Sequence, residues 1–138
     1  IISNNYMPFL DTTKKAWIIK DLEVPVIEDV PMKDLKWFKE KMVEAEDLAE
    51  QGKSGTKSEI EFETNWFDKV CTVGLGKSLE EIEDTGISQP KFRMLMAEVY
   101  TFLSSYGTVE EAKLSGLYDQ EIQKKEAKPS KTTQNSKN

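Results

Sequence analysis

Three times in this chain a hydroxyl residue is followed three places later by glutamate at the head of an apolar-periodic run: Ser58 with Glu61, Ser78 with Glu81, and Thr108 with Glu111. In such a box the hydroxyl accepts from the third residue's backbone N–H, and the glutamate returns to the N–H of the cap. Two orphan donors of a helix start are thereby satisfied at once. Glycines punctuate the same stretches: Gly74 or Gly76 closes the first helix, Gly86 the second, and Gly107 stands just before the third box. A chain marked in this way is committed to a series of short helices. The remaining question is which faces they bury.

The first box starts a helix from Ser58 to about Val73, and the second a short one through Asp84. Ser88 caps a further helix with Pro90 in its first turn, where the missing N–H costs nothing. Its apolar positions Phe92, Leu95, Met96, Val99, Phe102, Leu103 and Tyr106 form a continuous stripe. Upstream, Pro31 leads into a long helix, Met32 to Ala49, with Leu35, Phe38, Met42, Ala45 and Ala49 on one face. Asp34 lies in its first turn, where the helix dipole favours an anion. Residues Gln51 to Lys57 are a flexible connector by composition.

Before the helices the periodicity changes. Trp17, Ile18 and Ile19 are β-prone, Lys20-Asp21 supplies a turn, and Leu22, Val24 and Val26 alternate with Glu23 and Pro25. This predicts a hairpin over Ala16 to Ile27, with Pro25 confined to an edge strand. One hairpin is marginal in water, so it must pack on helices. Residues 1–15 read as an irregular arm, 16–123 as a single domain, and 124–138 as a disordered basic tail. The expected class is α+β but mostly α: an N-terminal hairpin on a bundle of about four to five helices.

Chemistry is restricted by what the chain lacks. It has no histidine and one cysteine, Cys71, so imidazole acid/base pairs, Cys-His nucleophiles and Cys/His zinc cages cannot be built. Cys71, beside Phe67 and Val70, reads as a small buried hydrophobe rather than a reactive thiol. The carboxylates Glu80, Glu81, Glu83 and Asp84 match no calcium loop and read as the solvated face of a short helix. The segment Gly74 to Ser78 has a faint likeness to a phosphate loop, but a helix stop followed by a helix cap accounts for each residue. No catalytic residue, metal or cofactor is expected.

The formal charge is −6, but five lysines and one glutamate between Lys124 and Asn138 leave the preceding residues at −10. An acidic body repels phosphate backbones and anionic lipid, which argues against nucleic acid or membrane as the main partner. With no secretory leader pattern in Ile1 to Asn5 and a single cysteine, a reducing cytoplasm is the expectation. Binding to other proteins remains. The helix from Ser58 has two apolar faces, Ile60, Phe67, Val70 and Cys71 against Phe62, Trp66 and Val73. Such a helix is either central and buried on both sides or uses one face for a partner. On the second reading Phe62, Trp66 and Val73, with Trp37 off the main stripe of its own helix, are the partner-binding candidates.

The order of elements resembles the tail assembly chaperones of long-tailed bacteriophages. The likeness is carried by Leu22-Glu-Val-Pro-Val-Ile27, the helix opening Met32-Lys-Asp-Leu-Lys-Trp-Phe38, the polar break, the Trp/Val-rich helix to Gly74, and Ser78-Leu-Glu-Glu-Ile-Glu-Asp84 before Phe92 to Leu103. It spans about Ala16 to Gly107, and the chain departs from it in its long lead-in and in Met32, where a Ser or Thr cap is usual. The resemblance implies a non-enzymatic cytoplasmic factor that coats the helical tape-measure protein and recruits tail-tube subunits, with self-association possible. In that family a frameshifted longer product carries a second module, and the lysine-rich tail stands where a linker to it would. Two other classes suit the same composition: a permanent virion component of the head–tail junction, and an acidic inhibitor or immunity protein.

Overall fold

The structure, a computed structural model, describes residues 8–52 and 55–115. Three short strands, β1 (Leu10–Asp11), β2 (Ala16–Ile19) and β3 (Leu22–Pro25), form an antiparallel meander in that order. Five helices follow: α1 (Met32–Glu50), α2 (Lys57–Val70), α3 (Leu79–Glu83), α4 (Gln89–Thr101) and α5 (109–115). This is the mostly helical α+β arrangement that the sequence implies.

The hairpin register places Trp17 opposite Val24 and Ile19 opposite Leu22, with Lys20-Asp21 as the turn and Pro25 on the edge strand. The sheet holds one strand more than the hairpin pattern suggests. Within the stretch read as an irregular arm, Leu10 and Asp11 pair with Trp17 and Ala16. A two-residue strand is too short to show periodicity, and the Asp11 carboxylate shapes the turn after it by accepting from the N–H groups of Thr13 and Lys14.

The capping boxes resolve differently from one another. Ser78 and Glu81 make both reciprocal bonds at the start of α3, and Thr108 accepts from Glu111 N–H at the start of α5. The Ser58 box predicted for α2 is not the one used: the helix starts earlier, with Thr56 accepting from Glu59 N–H and the Glu59 carboxylate accepting from Gly55 N–H. Ser88 caps α4 through Lys91 N–H. Pro31 precedes α1 without any side-chain cap.

Both α2 and α4 widen at their C-terminal ends into a π-helical turn, Cys71–Leu75 and Phe102–Tyr106. Each ends at a left-handed or positive-φ glycine, Gly76 (φ 65°) and Gly107 (φ 81°). The Gly107 N–H reaches back five residues to the Phe102 carbonyl. Gly74 therefore does not stop α2. It lies inside the first π turn, where a Cβ would overlap Val99 Cγ1 and stand 3.3 Å from Leu103 Cδ1.

The core is built on α4. Leu95, Met96, Val99, Phe102 and Leu103 are buried, as their stripe predicts, and are surrounded by Trp17, Ile19 and Val24 from the sheet, Val70, Cys71 and Leu75, Ile82, and Val109 and Ala112. The Trp17 ring meets Phe102 edge-on at 5.6 Å. The bend before α1 is tied to the corner before α5, since Glu28 accepts from Val109 N–H and Asp29 N–H donates to Gly107. By contrast α1 contributes only Phe38 to the buried set. Met42 and Ala49, expected in its core stripe, are exposed.

Candidate functional site

Central burial of α2 is not what the structure shows. Ile60 is 61% exposed, and of the α2 residues only Val70 is fully buried. Instead α2 turns Trp66 toward α1, and the aromatic residues of the two helices meet there. The Trp66 ring lies 5.0 Å from Phe38, 5.2 Å from Tyr100, 6.3 Å from Trp37 and 6.4 Å from Phe62. Edge-on and tilted geometries of this kind join the rings through their quadrupoles as well as through buried area.

Beyond this cluster the two helices part. Met42, Ala45 and Leu48 on α1 and Phe62, Trp66 and Phe67 on α2 line an apolar cleft of about 370 Å³ open to solvent. The cleft exists because the α1 stripe shrinks toward its end: after Phe38 come Met42, then Ala45 and Ala49, which are too small to close on the α2 aromatics. Tyr100 braces one end by donating from its hydroxyl to Met42 Sδ at 3.4 Å. Glu63 sits at the rim and is held by both guanidinium nitrogens of Arg93, at 3.2 and 3.3 Å, and that guanidinium also lies over the Phe67 ring. On the other side of α1 a second apolar hollow opens between Met32, Leu35, Phe38 and Tyr100.

The four partner-binding candidates do not act together. Phe62 and Trp66 line the cleft. Trp37 stands behind it, half-buried, with Lys41 and Lys69 each within 5.4 Å of its ring, so it braces α1 on α2 rather than projecting. Lys69 is fixed there by Asp34 at 3.5 Å. Val73 lies in the π turn and packs on the core. The sequence reading missed Leu48 and Arg93, and assigned Met42 and Ala45 to the core. The run of small residues in the α1 stripe was the available signal.

Cys71 is fully buried with its Sγ 3.9 Å from Met96 Sδ. Burial first, and then the carboxylates of Asp68 and Glu83, push its thiol up to about 12, so no thiolate is available near neutrality. Among the acidic residues of α3, the Ser78 N–H holds the Glu81 carboxyl below the usual range, as a cap should. The start of α3 takes no phosphate, because Ser78, Glu81 and the Asp68 carboxylate already engage its donors. Among the described residues no group of three His, Cys, Asp or Glu is placed to hold a metal, and no helix is long and apolar enough to cross a membrane.

One titratable group escaped the sequence reading. Glu98 is only 8% exposed; one carboxylate oxygen accepts from Phe9 N–H at 3.1 Å, and the other has no partner among the described residues. Burial pushes its carboxyl up to about 7, against the Phe9 N–H, which pulls it down. Its helical position between Leu95 and Phe102 was the signal. Comparison with family models, with curated proteins and with solved structures returns no match.

Proposed function

We propose that this is a non-enzymatic binding protein that receives a helical segment of another polypeptide in the cleft between α1 and α2. Its specific role, on the resemblance carried by Leu22 to Ile27 and Ser78 to Leu103, is phage tail assembly: coating the tape-measure protein in the host cytoplasm and recruiting tail-tube subunits. The observation that carries the reading is the cleft itself, an apolar trough between two helices lined by Phe62 and Trp66. A helix with an apolar stripe aggregates unless such a groove covers it, and helix-in-groove binding uses this geometry. The shielded Cys71 thiol and the missing imidazole both favour binding over catalysis.

The test is co-expression with a long helical tape-measure protein. The wild-type chain should keep that protein in the supernatant. Phe62→Ala and Trp66→Ala should return most of it to the pellet. If both variants stay folded by circular dichroism and rescue solubility as well as wild type, the cleft is not the site and the reading fails.

A further inference from the structure

Resting on the reading above, we infer that the cleft's occupant is a basic amphipathic helix: apolar side chains at i, i+3 or i+4 and i+7, flanked by lysine or arginine. The argument is one of charge complementarity around an apolar floor. Glu59 and Glu63 line the cleft, with Arg93 the one cation among its lining residues. Glu63 is neutralised by Arg93 and Glu44 by Lys41 at 2.9 Å. Glu46, beside the α1 row, and Glu59, which lines the cleft, have no ion pair among the described residues. Helical periodicity puts Glu44 and Glu46 on opposite sides of the Met42–Ala45–Leu48 row.

An incoming helix therefore finds a greasy floor between acidic margins. Cationic flanks gain there, and acidic flanks are repelled. The same charge pattern disfavours a second copy of this chain, because a two-fold interface would set acidic margin against acidic margin. Met42, unbranched and polarisable, adapts the floor to different apolar side chains.

Calorimetric titration of the full chain tests this, with two synthetic helical peptides of about 18 residues. Both carry one Leu/Phe face, flanked by lysine in one peptide and by glutamate in the other. The lysine peptide should bind at least about tenfold more tightly, an advantage that shrinks severalfold between about 0.05 M and about 0.5 M salt. Ala45→Arg, which fills the trough from its half-buried floor, should abolish binding. The double change Glu44→Lys with Glu46→Lys should remove the preference while leaving the fold intact.

Equal affinity for the two peptides overturns the inference, as does undiminished binding by a folded Ala45→Arg variant. Two other occupants would also overturn it. The chain's own tail is the occupant if changing Lys124, Lys125 and Lys128 to Gln raises peptide affinity about tenfold. A second copy is the occupant if sedimentation shows a dimer that Ala45→Arg dissociates. Failure of the charge inference is separable from failure of the function: if the peptides bind equally but partner solubility still needs Phe62 and Trp66, only the occupant's charge was misjudged.

Discussion

Glu98 is a carboxyl placed where its charge is costly. Its buried carboxylate has one N–H partner, from Phe9; the Trp17 indole N–H is likewise buried without a partner among the described residues. Because the folded state keeps the Glu98 proton up to about pH 7 while an exposed carboxyl loses it near 4.5, stability falls as pH rises through that window and levels off above it. At about 1.4 kcal/mol per pH unit the total is on the order of 3 kcal/mol. Glu98→Gln, which keeps an acceptor for Phe9, should flatten this slope. Urea unfolding at about pH 5 and about pH 7.5 should show the variant gaining on wild type at the higher pH. Parallel profiles would mean the carboxyl titrates normally. The chain position of Glu98 was legible, since it falls inside the α4 stripe. That the fold would bury it was not.

At the level of elements, the two π turns explain why α2 and α4 pack so closely at their ends. Gly74 lets the first turn press against Val99 of α4 and Leu103 of the second turn. Gly74→Ala inserts a methyl into side chains that are already buried, and overpacking of this kind costs about 1–3 kcal/mol. The denaturant midpoint should fall accordingly. Adding Val99→Ala makes room for the new methyl, so the double variant should lose less than the two single losses combined; strict additivity would place the clash elsewhere. The sequence marks Gly74 and Gly76 as equivalent candidates for a helix stop. Only the packing of Val99 distinguishes them: Gly76 takes the left-handed turn and Gly74 the close approach. The start of α2 departs from the pattern too: the Ser58–Glu61 spacing predicts the cap at Ser58, and Thr56 takes it instead.

For the molecule as a whole, attachment is uneven. The sheet, α3, α4, α5 and the end of α2 share one core, whereas α1 buries only Phe38 in it and lays half-buried Leu35 and Trp37 against it. Its remaining hold is the ring cluster with Trp37, Trp66 and Tyr100 and the Lys69–Asp34 pair. Elements with few buried contacts open locally below the global unfolding energy. Phe38→Ala, worth about 3–5 kcal/mol for a buried phenylalanine, should release α1 first. Hydrogen exchange should then show fast exchange along α1 while α4 and β2 amides stay protected; loss of protection everywhere together would make α1 part of the global unit. A loosely held helix beside an apolar cleft is also the element best able to adjust to a bound helix.

The chain's own letters determined the helical segmentation, the hairpin register with its edge proline, the α4 stripe and the poverty of catalytic groups. Those features are local: caps, periodicity and residue inventory act within a few residues of one another. The tertiary structure alone decided that α4 rather than α2 lies at the centre, that Trp37 braces while Phe62 and Trp66 line a cleft, that Val73 belongs to the core, and that Glu98 is enclosed. Each of these depends on which neighbour covers a face, and an amphipathic pattern states only that a face must be covered.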